Sequence, residues 1–404
     1  MLQPTVKSPV HPPVSVDYAY PHPPRALYIH IPFCSNKCYY CDFNSYVVSG
    51  QPVDEYLDAL EEEMAVTVAK VPPQEVESIF VGGGTPSILT PAQLERFLSA
   101  VRRHFPRWHA DAEFTLEVNP GTVDRDKLRV LKEGGVNRLS FGGQSFNDDL
   151  LKRIGRIHSA AEIKQGITWA REAGFANLSL DLMFGLPGQS VEDVEQSLDE
   201  ALAMRLEHYS VYGLIVEENT LFHTLHEKGK LPLPAEDEEL AMYHRVMERM
   251  AGAGYDHYEV SNFARSGRES RHNTVYWRNE SYYGVGAGAH GYVAGWRHEN
   301  AKGVTEYIAR VRKEGFPRVN GHLVSRTEAM EDMMMVGLRL RKGVTFHRFQ
   351  ERFGCPMQEV FGRVISELQQ QGLLQTDEEG IRLTRRGLLY GNVVFASFLQ
   401  STQS

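Results

Sequence analysis

Tyr28-Ile29-His30-Ile31-Pro32-Phe33-Cys34-Ser35-Asn36-Lys37-Cys38-Tyr39-Tyr40-Cys41-Asp42-Phe43 is the stretch on which the reading of this chain turns. An alternating strand pattern that begins at Ala26 runs straight into three cysteines spaced C-x3-C-x2-C. The chain has four cysteines in 404 residues, and the fourth, Cys355, lies far downstream. A disulfide framework needs paired cysteines spread along a short secreted chain, so a tight triplet reads instead as a metal or cluster site. Three thiolates hold three irons of a four-iron cube and leave the fourth open to a substrate or cofactor. A Cys3His zinc site completed by His30 or another nearby histidine meets the same spacing. Cys355, next to Phe353-Gly354 and without a neighbouring cysteine, reads as buried or incidental. His30 and His208 sit in strand-like runs and read as hydrogen-bonded structural histidines.

Outward from the triplet, strand and helix signals alternate. Short apolar strands at 78–81, 113–118, 138–141, 178–184 and 208–215 mostly end in polar or glycine-rich loops. Helical periodicity covers 55–70, 91–105 (with Thr90 as N-cap), 125–133, 160–173 and 191–204. With the strand at 26–32 this makes about six β/α units. The expected fold is α/β: a partial (β/α)6 barrel whose functional loops follow the strands. Past Gly321 the pattern changes to helices at 327–338, 346–353 and 357–371, with two short strands flanking Asp377-Glu378-Glu379-Gly380. That is a small winged-helix-like α+β domain. The expected organisation is a proline-rich flexible arm over 1–25, a core barrel over 26–320 and an accessory domain over 321–404.

Lys and Arg number 43 against 52 Asp and Glu, a formal net charge of −9. A net acidic chain with interspersed signs, and an acidic turn where a wing would meet phosphate, argue against a nucleic-acid partner. No apolar run reaches the roughly 18–20 residues of a membrane span. No secretory signal pattern opens the chain, so the expected compartment is the cytoplasm. Gly284-Val285-Gly286-Ala287-Gly288-Ala289-His290-Gly291 looks like a dinucleotide fingerprint, but no clear βαβ unit with a ribose-binding acid follows. A glycine-rich loop framing His290 near the barrel mouth fits better.

The cysteine stretch, Gly82-Gly83-Gly84-Thr85-Pro86, Asn137-Arg138-Leu139-Ser140 with Gln144-Ser145-Phe146, and Asp181-Leu182-Met183-Phe184-Gly185-Leu186-Pro187-Gly188-Gln189 together resemble the radical S-adenosylmethionine (SAM) superfamily. The resemblance runs from Leu27 onward. It is closest to the branch that holds the oxygen-independent coproporphyrinogen III oxidases and the haem chaperones.

It implies a [4Fe-4S] cluster on Cys34, Cys38 and Cys41, and SAM contacts from Tyr28, Tyr40, Gly83, Gly84 and Thr85. Glycines at a strand end let a ligand approach the backbone closely, which suits that role. The resemblance also implies polar contacts from Glu117, Gln144, Arg156 and Asp181, with Ile215 and His290 bordering the nucleoside or a second ligand. For Glu117 and Asp181 a barrel-interior salt bridge or a helix cap is the competing reading.

Two functions follow from this branch. The oxidases extend the motif to C-x3-C-x2-C-x-C, whereas this chain has Phe43 at the last position. The run His272-Asn273-Thr274-Val275-Tyr276-Trp277 matches the His-Asn-x-x-Tyr-Trp block of the haem chaperones. The resemblance therefore implies a haem carrier with no assigned catalytic residue, and His272, Tyr276 and Trp277 as haem candidates, with His290 as the rival ligand. Its implied partners are haem and acceptor haem proteins, including membrane-associated respiratory enzymes reached from the membrane surface, together with a homodimer. The alternatives are a coproporphyrinogen oxidase and a radical SAM methyltransferase.

Overall fold

The computed structural model describes residues 23–399, so the expected proline-rich arm lies outside them except for its last three positions. The first strands are β1 (Ala26–Ile31), the two-residue pair β2 (Phe33–Cys34) and β3 (Tyr46–Val47), then β4 (Val76–Gly83) and β5 (Trp108–Val118). They are followed by β6 (Arg138–Gln144), β7 (Asn177–Phe184), β8 (His208–Gly213), β9 (Asp256–Glu259), β10 (Asn262–Ala264) and β11 (Tyr283–Val285). One nine-stranded sheet runs in the order β11-β1-β4-β5-β6-β7-β8-β10-β9. From β11 to β8 every neighbour is parallel, and the β10–β9 hairpin turns antiparallel at the far edge. The six expected strands thus form the parallel core of an open, partial barrel.

The helices between these strands begin where side chains satisfy their free amides. Thr90 with Gln93, Ser159 with Glu162 and Ser190 with Asp193 form reciprocal capping boxes at the helices Pro91–His104, Ala160–Glu172 and Val191–Ala203. Strand alternation then sorts the faces. On β1, Leu27, Ile29 and Ile31 are buried in the main apolar core, while Tyr28 and His30 line the barrel cavity.

The lumen is polar and arranged in registered layers. Ser78 lies opposite Glu113, Thr115 opposite Arg138, Glu117 opposite Ser140, Ser179 opposite His208, and Asp181 opposite Ser210. Buried polar groups are costly unless hydrogen-bonded, so a lumen of this composition marks a site rather than a packing core.

A second sheet, β12 (His290–Val293), β13 (Trp296–Asn300) and β14 (Arg318–Leu323), follows β11. Strand β14 crosses the expected boundary at 320/321, since Leu323 pairs with Trp296. A separate apolar core takes in Tyr292 of β12 and the residues from Val324 onward. It holds the helices Arg326–Gly337, Phe346–Phe353 and Met357–Gln370 and the sheet of β15 (Val344–Thr345), β16 (Leu374–Thr376) and β17 (Gly380–Leu383). Cys355 packs half-buried against this core. Two terminal helices, Arg385–Leu389 and Gly391–Leu399, and the helix Glu236–Gly252 fall outside the periodicities read from sequence.

Candidate functional site

The cysteine loop is pinned at both ends. Gly84 N donates to Ile31 O at 2.8 Å and Thr85 N to Phe33 O at 2.7 Å, which extends β4 alongside the start of the loop. Across the barrel mouth Tyr39 N donates to Ile154 O at 3.1 Å and Asn36 Nδ2 to Gly155 O at 2.8 Å. The three thiols are half-buried and unpaired. Burial pushes Cys34 up and Cys41 to about 11. Arg156 Nη1 donates to Cys38 Sγ at 3.4 Å and Thr85 Oγ1 to Cys34 Sγ at 3.6 Å, so a cation and a hydroxyl face the sulfurs.

The donor set suits a cluster better than a single zinc ion. Both nitrogens of His30 are already committed, Nδ1 to the Tyr28 hydroxyl at 2.9 Å and Nε2 to Asn44 O at 2.8 Å. His30 therefore does not complete a Cys3His site. Among the described residues no three His, Cys, Asp or Glu side chains converge on one ion position. A four-iron cube gives each thiolate its own iron and needs no such convergence.

Two cavities open above this loop. The inner one, about 310 Å3, is lined by Cys34, Cys38, Tyr40, Cys41, Gly83, Gly84, Thr85, Glu117, Gln144, Arg156 and Asp181. The outer one, about 540 Å3, is lined by Tyr28, Tyr276, Tyr282, His290 and Lys302 among others. Lys37, Phe43, Ser45, Gly83 and Glu117 border both.

The expected ligand-contact residues are thus divided, with Tyr28 and His290 on the outer cavity and Tyr40 on the inner. Ile215 lines neither cavity; it stands 66% exposed on the loop after β8, which ends at Gly213 rather than at 215. Gln144 holds a left-handed backbone (φ 69°), uncommon for a residue with a side chain, at the end of β6.

Burial raises Glu117 to about 8, with Asp181 adding to the rise, while Gly83 N donates to its Oε2 at 3.2 Å. Burial likewise raises Asp181, which accepts from Ser140 Oγ at 3.2 Å. Neither forms a salt bridge or a helix cap; both line the lumen as buried hydrogen-bond acceptors. Arg138, 2% exposed, is the lumen cation below them, and the sequence reading overlooked it. Its signal was the alternation Arg138, Ser140 against Leu139, Phe141, which turns the arginine inward.

The glycines of the 82–84 run also make room for close packing, while Gly83 and Gly84 still line the inner cavity. A Cβ on Gly83 would lie 2.3 Å from the His30 ring, and one on Gly84 would lie 2.6 Å from Phe33 O. One on Gly82 would meet Glu117 Oε2 at 2.7 Å. These positions are bare because the cysteine loop, His30 and Glu117 fill the space. The Gly-rich loop before β12 obeys the same rule: a Cβ on Gly288 would lie 2.5 Å from Asn44 Nδ2, and that amide donates to Ala287 O at 2.9 Å.

The two candidate haem histidines differ sharply. His272 is fully buried, with Nδ1 bonded to Ser78 Oγ at 3.1 Å and Nε2 to the Tyr276 hydroxyl at 2.8 Å. Burial, and then Arg138, hold it down to about 3, so its ring is neutral. Both of its nitrogens are engaged and no edge of the ring is exposed, so reaching an iron would require these hydrogen bonds to break. Tyr276 holds that ring, and Trp277 carries the Arg339 guanidinium 4.3 Å from its ring centroid, so the block buttresses the barrel floor. The outward face of its helix, Arg271–Trp277, lines a separate groove of about 1150 Å3 beside Arg25 and Lys342. His290, in contrast, has its side chain 58% exposed on the outer cavity, with Nε2 3.9 Å from Glu299.

Comparison with known proteins agrees with this geometry. A model of the radical SAM superfamily matches residues 28–201, and one of the HemN C-terminal domain matches 324–390. A heme chaperone HemW of Bacillus subtilis (strain 168) is 47% identical over 375 residues, 93% of this chain and 99% of that protein. The chain belongs to the HemW family of the radical SAM superfamily. The HemW of Lactococcus lactis is 41% identical over 93% of this chain and 97% of its own. Among solved structures, the coproporphyrinogen III oxidase HemN of Escherichia coli superposes with a TM-score of 0.83 at 26% identity, covering 96% of this chain and 92% of that one. As a radical SAM protein the HemW-family chain uses a [4Fe-4S] cluster and SAM.

Proposed function

We propose that the chain is a haem chaperone, which binds haem and delivers it to acceptor haem proteins while carrying the cluster and SAM. The HemW relatives support this at 47% and 41% identity across nearly the whole chain. Cys34, Cys38 and Cys41 would hold the cluster, which supplies an open iron for SAM. The inner cavity, with Gln144, Arg156, Glu117 and Asp181 on its walls, suits the polar ends of SAM.

The observation that carries the haem reading is the outer cavity. At about 540 Å3 it falls in the range of ligand pockets, ~300–1,000 Å3. Tyr28, Tyr276 and Tyr282 give it aromatic walls, and Lys37 and Lys302 suit two propionates. His290 is the imidazole free to reach an iron there, and a protein controls haem chiefly through such an axial ligand.

Membrane-bound respiratory enzymes as acceptors, and a homodimer as the assembly, rest on the resemblance alone. No helix of the described residues is long and apolar enough to cross a membrane, so delivery to such acceptors would be made from the membrane surface.

An oxidase is the second reading, favoured by the HemN superposition. Anaerobic reconstitution separates the two. The chaperone reading expects about four irons and four sulfides per chain, stoichiometric haem binding, transfer to an apo-haem protein, and no CO2 from coproporphyrinogen. Robust decarboxylation without haem transfer would overturn it.

A further inference from the structure

Phe43 is 61% exposed, an apolar ring held in solvent at the junction of the two cavities. Its backbone is fixed: Lys37 Nζ donates to Phe43 O at 3.0 Å and to Ser45 O at 3.4 Å. Asn44 next to it is tied to Ala287 O, on the loop that presents His290, at 2.9 Å, and to Lys302 O, just past β13, at 3.0 Å. The ring therefore projects from a rigid stem at the place where the inner and outer cavities meet. Exposed apolar area of this size is costly to leave in water, at about 25 cal/mol per Å2. The ring borders both cavities, so a ligand in either one meets it.

We infer that Phe43 is the partition between the two cavities, one face covering haem in the outer cavity and the other covering SAM in the inner. This rests on the haem reading above. A ligand on one side fixes the ring and excludes water from it, so the second ligand meets a surface already ordered and loses less side-chain freedom on binding. The two ligands then bind with positive linkage, and linkage is reciprocal: SAM tightens haem by the same factor that haem tightens SAM. The partition also keeps the porphyrin out of the inner cavity, which suits a carrier. A cysteine side chain at this position is too small to separate the two.

The test is haem titration of reconstituted protein with and without saturating SAM, and the reciprocal SAM titration, for wild type, Phe43→Ala and Phe43→Tyr. Iron and sulfide content and the visible spectrum check that each variant keeps its cluster. The wild type and Phe43→Tyr should bind haem at least about fivefold more tightly with SAM, and SAM correspondingly more tightly with haem. Phe43→Ala should bring both ratios to about one and weaken haem about tenfold. Haem binding that depends on His290 but ignores SAM would overturn the partition and leave the haem reading standing. So would linkage that survives Phe43→Ala, or mutual exclusion of the two ligands. Absence of any His290-dependent haem binding would overturn both.

Discussion

The helix Arg271–Trp277 and the glycine-rich loop leading into β12 each present one histidine, only eighteen positions apart, and the fold treats them in opposite ways. The helix docks its first amides on a buried carboxylate: Arg271 N donates to Glu113 Oε2 and His272 N to Glu113 Oε1, both at 3.2 Å. That seats His272 beneath Tyr28 and Phe80, with the Phe80 ring stacked at 5.3 Å. The loop is clamped from below instead, by Glu63, which accepts from Gly286 N at 2.8 Å and Asn300 Nδ2 at 2.7 Å. Its glycines let it lie flat on the cysteine loop, and His290 at its end turns outward. A dense aromatic motif is often a packing unit, because large rings gain most by burial. A histidine available to a ligand is found where small residues hold the backbone and leave the imidazole uncovered.

The sharpest way to break this contrast is to remove the buried ring. His272→Ala should cost about 3–5 kcal/mol, because it opens a cavity and strands the hydroxyls of Ser78 and Tyr276. Thermal denaturation should show a melting point lowered by at least about 5 °C. A drop of under about 1 °C would mean that the block is not structural.

A smaller effect sharpens the same contrast through pH. His272 is held to about 3 in the folded protein, whereas the unfolded chain takes up its proton near 6.5. Its contribution to stability is therefore present above pH 6.5 and is lost as the pH falls from there toward about 3. His272→Gln should flatten the acid limb of stability against pH by up to about 1.4 kcal/mol per pH unit. His208, also held down by burial, keeps some slope in the variant. Parallel acid limbs in wild type and variant would show that His272 is not buried as a neutral ring.

Much of this molecule is legible in its sequence. The alternation at Leu27, Ile29 and Ile31 and the cap at Thr90 marked strand and helix, because period and capping are local properties. The cysteine spacing marked the site, since three thiols on one loop have few other uses. The division of the site into two cavities was not legible, because it depends on where Phe43 and Tyr28 meet residues more than two hundred positions away. The tight packing of Gly83 and Gly84 was not legible either: their close neighbours are His30 and Phe33, brought in by strand pairing. The helix Glu236–Gly252 was missed because its first turn is four successive acidic residues, Glu236 to Glu239, which mask the apolar face of Met242, Val246 and Met250.

The central claim is that the outer cavity holds haem through His290 and that His272 serves the fold. The most direct measurement is a haem titration of reconstituted wild type, His290→Ala and His272→Gln, with melting points taken on the same samples. The account predicts that His290→Ala weakens haem at least about tenfold at an unchanged melting point, while His272→Gln lowers the melting point and leaves the affinity of the folded protein within about twofold. Loss of haem affinity in His272→Gln, with His290→Ala binding as wild type, would contradict it.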